Sequence, residues 1–519
     1  MQRASVVAAV RNGTPATPAR SLLGVIDVGS NTARLVVFQS SSAGAVRAID
    51  ERKEVPRLGE GTAADGSLSS EAIKRGVTAL RRFAKVLESL GVERALAVAT
   101  SAVREAPNAA AFLDQVERAT GIEIRTITGT EEARYAYLGV ASAWELANDL
   151  VCDLGGGSLQ IVEVRKGALR NSVSLPLGAL RLSQRYLEND PPKSREVDEL
   201  RESARETIGG ALEAFGGSGY RAFCVGGTVR ALARAAINMR DYPIVRVHGY
   251  ELRDHDIDAL FELLSDMPAA KRRAISGIGS DRVDVIVAGV VVFQELLRAS
   301  KARSLTVSGT GIREGVALEA LGTELPAPAD ELARRSVIAA SESLGFSFAH
   351  GDTIANVAAA LFDELAPRLE WGPSERRALV VAAWMHDSGI AVDLWRHERH
   401  SAYLVRNFPI WGLDQREVVL ASMATYLHGG DPAPSTWRKL YLALLSGHDL
   451  EIARGLGAVL QAAEALHAGA PKFNLAGGGK ALSVEFGDAA AAGLSPKALD
   501  KARKPLEREF QLEVRTRDS

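Results

Sequence analysis

The sequence holds only two cysteines, Cys152 and Cys224, in 519 residues. That is too few for the disulfide framework of a small secreted protein. It also lacks any uninterrupted apolar run near the roughly eighteen residues needed to cross a bilayer; Val285–Leu297, for one, is cut by Gly289, Gln294 and Glu295. Nor is there a surplus of basic charge. Against 62 basic residues stand 64 acidic ones, a net charge of −2 that argues against a generally basic nucleic-acid binder. Any polyanionic ligand is therefore held by a local site. The apolar start Ala4–Val10 stops at Arg11, with Pro15 and Pro18 close behind, so residues 1–20 are expected to be a disordered tail and not a signal peptide. What is present is ordinary for a globular chain, 46% hydrophobic and 6% aromatic. These features predict a cytoplasmic protein without membrane segments, and the length predicts about three or four domains.

From Leu22 the chain reads strand (Leu22–Ile26), tight turn (Asp27-Val28-Gly29-Ser30-Asn31), strand (Arg34–Phe38). The spacing predicts a helix over Ser69–Leu90, capped by Ser69 and ended by Gly91, then strands and helices in alternation. Such alternation implies an α/β layer architecture. The pattern then restarts. Leu150–Ser158 leads into Gln160–Val164, so that Asp27 falls on Asp153, Gly29 on Gly155 and Arg34 on Gln160. This reads as an internal repeat with a cleft between the copies. The expected divisions are 21–141 and 142–320 for the two copies, a Pro-containing linker over Gly322–Asp330, a helical domain over 331–470, and a small α+β region over 471–519 whose Ala481–Phe486 and Phe510–Arg515 alternate as strands. Ala476–Gly479 marks another break.

An aspartate at a strand end followed by glycines suits phosphate. Glycine lets main-chain N–H groups approach phosphoryl oxygens, and the carboxylate can hold a metal ion directly or through water. One Asp-x-Gly turn is commonly an ordinary hairpin. Two at matching positions, the second Asp153-Leu154-Gly155-Gly156-Gly157-Ser158, point to a phosphate cleft.

Several stretches in order resemble the exopolyphosphatase / guanosine pentaphosphate phosphohydrolase family. They are Asp27–Asn31 with Arg34, Ala99-Thr100-Ser101-Ala102-Val103-Arg104, Gly129-Thr130-Glu131-Glu132-Ala133, Asp153–Ser158, Val225-Gly226-Gly227-Thr228, and Gly311-Ile312-Arg313-Glu314-Gly315. The resemblance spans about residues 22–318. It implies an α/β fold of duplicated actin-like (ribonuclease-H-type) domains, followed by an all-helical HD-like domain and the α+β tail. It assigns Glu132 the role of general base on the attacking water, and Asp153 with Asp27 the placing of magnesium or of that water. Gly29, Ser30 and Asn31, with Gly155, Gly156, Gly157 and Ser158, match the phosphate-holding loops, to which Arg34, Thr100, Ser101 and Gly227 are added. Arg104 matches an arginine near the transferred phosphoryl group, and Arg282, in Arg282-Val283-Asp284 before Gly289, matches a cleft arginine. A homodimer is also implied. From spacing alone, Glu132 would merely favour the positive end of a helix begun by the capping pair Thr128 and Glu131; the resemblance reverses that reading.

One position departs from the pattern. Gln160 stands where the family carries a second carboxylate, and an amide can orient water but cannot ionise. Glu163 lies on the opposite strand face and is a poor replacement. In the helical domain, His350, His386-Asp387 and Glu464 resemble the pattern of HD-type metal phosphohydrolases, with Glu464 in place of an aspartate; the expectation is a structural relic. His397 and His400, with Arg396 and Arg399, either extend a polyanion-binding surface or form a solvated polar face. Lys271-Arg272-Arg273 is too short to imply nucleic acid. The reading that follows is an exopolyphosphatase releasing orthophosphate from inorganic polyphosphate, with guanosine pentaphosphate as a second substrate and magnesium as the metal. The alternatives are a non-hydrolytic sensor of polyphosphate or guanosine tetraphosphate, which Gln160 favours, and hydrolysis in the HD-like domain.

Overall fold

The computed structural model describes residues 21–518 apart from 62–64, 217–218, 433, 435–436, 438–440, 442–443, 468–470, 477–480 and 487–494. The expected N-terminal tail and the glycines of the Ala476–Gly479 break lie outside the described residues.

The first lobe runs β1 (Leu22–Val28), β2 (Ala33–Ser40), β3 (Val46–Glu54), α1 (Ser70–Ser89), β4 (Arg94–Ala99), α2 (Ser101–Glu105), α3 (Ala109–Thr120), β5 (Ile124–Thr126) and α4 (Gly129–Ala141). The second runs β6 (Asp149–Leu154), β7 (Leu159–Arg165), β8 (Ala168–Leu175), α5 (Ala179–Tyr186), α6 (Ser194–Phe215), β9 (Arg221–Val225), α7 (Gly227–Met239), β10 (Glu251–Arg253), α8 (Asp254–Ser265), α9 (Ala269–Arg272), α10 (Ile286–Ser300), β11 (Ser304–Val307) and α11 (Ile312–Ala320).

Strand order makes the duplication visible. The first sheet is β3-β2-β1-β4-β5, and the second, read from its β8 edge, is β8-β7-β6-β9-β11-β10, the same arrangement with one strand added. In both, the first three strands pair antiparallel and the next join parallel. The register repeats as well: Asp27 lies opposite Arg34, and Asp153 lies opposite Gln160. The central strand β1 is an apolar run buried on both faces, as a strand covered by helices on each side must be.

Local sequence explains the helices that cover it. Ser69 caps α1 by accepting the Ala72 N–H at 3.2 Å, and Ile73, Leu80, Phe83 and Leu87 recur at helical spacing to face the sheet. Burying side chains of that size contributes about 1.5–3 kcal/mol each. The other face of the sheet meets α4 and α11. Tyr135, Val316 and Ala317 pack with Val25 and Val36 of the first sheet, while Ala133, Ala136 and Val140 pack with Val151 and Val162 of the second. Helices α4 and α11 touch main chain to main chain: a Cβ on Gly139 or Gly315 would run into the backbone of Gly311 or Tyr135. α4 is thereby fixed between the lobes with its N-terminal turn at the cleft.

A second compact unit begins between Ala327 and Pro328. It contains α12 (Ala329–Leu344), α13 (Phe348–Leu369), α14 (Pro373–Met385), a 3-10 turn over Ser388–Ala391, α15 (His397–Asn407), α16 (Gln415–Leu427) and a helix over Gly447–Leu466. Strands Lys472–Ala476, Ala481–Phe486 and Glu513–Asp518 then form a small sheet accompanied by the helix Pro496–Phe510. The strand expected from Phe510 starts later, because Phe510 closes that helix. It shares the buried face with Leu506, and its ring lies 5.8 Å from that of Trp371. Among the described residues no helix is long and apolar enough to cross a membrane.

Candidate active site

The two Asp-Gly turns are built alike. The Gly29 N–H donates to the Thr32 carbonyl at 3.0 Å, and the Gly155 N–H donates to the Ser158 carbonyl at 3.0 Å. They face each other across the cleft so closely that a Cβ on Gly157 would collide with the hydroxyls of Ser30 and Ser101. Glycine is required there by space alone. The helices α4, α5 and α7 begin at this floor: Glu132 lies in the first turn of α4, Ala179 opens α5 and Gly227 opens α7. The first N–H groups of α5 donate to the Gly155 and Gly156 carbonyls, which ties that helix to the turn, and the start of α7 is the one that favours an anionic ligand. The cavity at the cleft floor has a volume of about 100 Å³.

Every residue assigned to phosphate or metal from the sequence lines this cleft, with the exception of Arg104. Asp27, Gly29, Ser30, Asn31, Arg34, Thr100 and Ser101 come from the first lobe, and Glu132 from α4. Asp153, Gly155, Gly156, Gly157, Ser158, Gly227 and Arg282 come from the second lobe. Arg104 stands behind Glu132: its Nη1 donates to Glu132 Oε2 at 2.9 Å and to the Ile127 carbonyl at 3.0 Å. The capping pair is also present. Thr128 and Glu131 satisfy each other's N–H groups, so the helix start does not need Glu132.

Two buried carboxyl groups, Glu132 and Asp153, and the half-buried Asp27 therefore converge. Burial pushes Glu132 up to about 7; Arg104 opposes this, and Asp153 and Asp27 add to it. Asp153 is likewise pushed up to about 7 by burial and by Asp27, against the pull of Arg230 and Arg313. Burial also raises Asp27, opposed by Arg313 and Arg34. Such a group of acids is stable when it holds a proton or a cation.

Two arginines in the lining were not singled out in the sequence. Arg313 is buried and faces the acids, with its Nη1 3.1 Å from Glu51 Oε1; Arg230 donates to the Ser308 carbonyl at 3.1 Å and is pushed down to about 10 by burial. Arg313 sits inside the Gly311–Gly315 motif and was open to notice; Arg230 follows Gly226-Gly227-Thr228 by one turn edge and carried no separate signal. Gln160 is buried beneath the second turn. Its Nε2 donates to Ser158 Oγ at 2.8 Å and to Ser174 Oγ at 3.1 Å, while its Oε1 has no partner. Glu163 points away from the cleft and accepts from Tyr220 at 2.8 Å and Asn171 at 2.5 Å.

A model of the Ppx/GppA phosphatase family matches residues 36–324, more than half of the chain, and a model of that family's domain III matches residues 333–433. The chain belongs to the Ppx/GppA phosphatase family. As a family member it is a phosphohydrolase with duplicated actin-like lobes and a helical third domain. Exopolyphosphatase 1 of Mycobacterium tuberculosis H37Rv is 33% identical over 311 residues, covering 58% of this chain and 89% of the relative. Exopolyphosphatase 1 of Mycobacterium leprae is 32% identical over 314 residues, covering 58% and 90%. Among solved structures, the Aquifex aeolicus Ppx/GppA protein is 31% identical with a TM-score of 0.50, covering 58% of this chain and 97% of that one. An exopolyphosphatase from Cytophaga hutchinsonii is 25% identical with a TM-score of 0.55, covering 59% and 100%.

In the helical unit of this Ppx/GppA chain, His350, His386 and Asp387 come together with ligand atoms within 4.8 Å of one another. Glu464 is not in that group; its Oε1 lies 3.3 Å from Lys501 Nζ. His397 does not join Arg396 and Arg399 on a basic face. Its Nε2 lies 3.3 Å from Asp387 Oδ1, while the two arginines lie 4.0 and 3.4 Å from Asp431.

Proposed function

We propose that this cleft hydrolyses the terminal phosphoanhydride of inorganic polyphosphate, releasing orthophosphate, and accepts guanosine pentaphosphate as a second substrate. The observation that carries the reading is the meeting of Glu132, Asp27 and Asp153 at two facing glycine turns. Named exopolyphosphatases among the relatives support the choice of polyphosphate. The turn N–H groups and the start of α7 hold the terminal phosphate. Arg34, Arg230, Arg282 and Arg313 balance the charge of the following phosphates. Glu132 aligns a water for in-line attack at the terminal phosphorus and accepts its proton at a carboxylate oxygen as the bridging P–O bond breaks. Arg104 holds Glu132 in place through Oε2. The donor set suits magnesium, a hard cation that takes carboxylate and phosphate oxygens. Asp27 and Asp153 would hold it, and it would supply charge neutralisation on the phosphoryl oxygens. The free, buried Cys152 and Cys224 suit a cytoplasmic setting, and a homodimer completes the reading.

The test is phosphate release from long-chain polyphosphate and from guanosine pentaphosphate, side by side, with and without magnesium. Magnesium-dependent release from polyphosphate is the expected result. Tight polyphosphate binding with no release would replace this reading by that of a sensor, for which the neutral Gln160 already speaks.

A further inference from the structure

Five imidazoles gather in the helical unit near Asp387, with Glu464 also acting on His386 and His428. Asp387 Oδ1 lies 3.4 Å from His386 Nε2 and 3.3 Å from His397 Nε2, and Asp387 Oδ2 lies 3.5 Å from His350 Nε2. The ring of His428 lies 5.5 Å from that of His386 and 5.7 Å from that of His397, and the ring of His467 lies 5.4 Å from that of His350. Residues on α13, α14, α15, the end of α16 and the end of the helix Gly447–Leu466 contribute one histidine each.

The hydrogen bonds decide what these rings present to one another. A carbonyl can only accept. His386, His397, His428 and His467 each set Nδ1 against the carbonyl three residues earlier, those of Ala383, Leu394, Thr425 and Glu464. Nδ1 therefore carries the proton in each ring, and a neutral ring is left with a bare lone pair on Nε2. At Asp387 those lone pairs meet carboxylate lone pairs. With neutral rings the two contacts from His386 and His397 repel, while His350, whose tautomer no carbonyl fixes, faces the other oxygen.

A cation between them removes the conflict. Ligand atoms about 2.1 Å from a common ion, at tetrahedral or octahedral vertices, stand about 3.0–3.4 Å apart, and the three Nε2–Oδ separations fall at 3.3 to 3.5 Å. Binding Nδ1–H to a carbonyl is also how metal-ligating imidazoles are held in orientation. The site has a floor and a mouth: His386 and His428 are buried, while the side chains of His350 and Asp387 are 41% and 28% exposed.

We propose that the helical unit carries a second metal centre, separate from the cleft, which binds a borderline divalent transition-metal ion through His350, His386, His397 and Asp387. His428 supports it from the buried side. Because Asp387 turns one oxygen to His386 and His397 and the other to His350, it can bridge a pair of ions. Imidazole-rich sets favour manganese, iron, cobalt or zinc over magnesium, the opposite of the oxygen-lined cleft. The chain thus holds two sites of different metal preference.

Cobalt(II) added to the metal-stripped full-length protein in excess magnesium tests this. The expected result is visible d–d absorption saturating at about one to two ions per chain, displaced by zinc and not by further magnesium. Asp387→Asn and His386→Gln should each weaken cobalt binding by at least about tenfold, while replacing the exposed His448 by alanine leaves the band unchanged. Absence of the band in the wild-type protein, or its survival in a His386→Gln/Asp387→Asn double variant, overturns the proposal. The wild-type titration and zinc competition decide the matter even if a variant fails to fold.

Discussion

Replacing Glu132 by glutamine should lower turnover and raise stability together. Glu132 is 4% exposed, and its carboxyl is pushed up to about 7 from an ordinary value of 4.5. Below the lower value it is protonated in both folded and unfolded chains and costs nothing. As pH rises from 4.5 to about 7 the unfolded chain ionises while the folded one keeps its proton, so stability falls across that window. Above it the folded protein carries the full cost, about 3–4 kcal/mol at ~1.4 kcal/mol for each tenfold change in proton affinity. Glutamine removes that cost, and its amide oxygen can still accept from Arg104. Calorimetry on chelated protein should therefore show the variant unchanged at pH 4 and more stable at pH 8. Phosphate release should fall about 10²–10⁴-fold with polyphosphate binding kept. In the wild type, kcat/KM should rise with pH until about 7, because the ionised form is the base. Added magnesium should move that limb to lower pH, since a nearby cation favours the carboxylate. The reasoning fails if the variant turns over normally. It also fails if the variant melts below wild type at pH 8, which would make Glu132 a scaffold for Arg104 instead of a base.

Other outcomes follow from the same geometry. Gln160→Glu places a carboxylate against the Ser158 and Ser174 hydroxyls, near Asp153, and should raise magnesium-dependent kcat with little change in substrate affinity; slower turnover at every magnesium concentration would show that the amide belongs to a differently built site. Gly157→Ala drives a methyl group into Ser30 and Ser101, so phosphate release should fall with a stability loss of about 1–3 kcal/mol, read by activity and calorimetry together. Arg313→Gln removes a cation that opposes the upward push on Asp27 and Asp153. The acidic limb of the pH–rate profile should then shift upward, and an unmoved limb would separate Arg313 from the acids.

The duplication, the two phosphate turns and the capped start of α4 were all legible in the chain, because each is written in neighbouring residues. Asp27 to Asn31 and Asp153 to Ser158 specify their turns through glycine and short side chains within one hairpin. Ser69, and Thr128 with Glu131, satisfy N–H groups three residues away. A motif can be read from sequence when its hydrogen bonds close locally.

Tertiary structure alone decided the electrical character of the sites. That Glu132, Asp27 and Asp153 are brought together, and so raise one another's pKa values, depends on α4 being wedged between the sheets by close contacts such as Gly139 with Gly311. Arg230 stands two residues past the Gly226-Gly227-Thr228 motif and has no signal of its own; the fold places it in the cleft. The helical unit shows the same limit more sharply. The sequence offered His397 either a polyanion-binding surface or a solvated polar face, whereas packing of α15 against the turn after α14 brings its Nε2 to Asp387; Glu464 reaches Lys501 while still acting on His386 and His428. Side chains so far apart along the chain share a centre only after the helices are docked, and pairwise distance, which sets both charge coupling and metal ligation, is not encoded in local spacing.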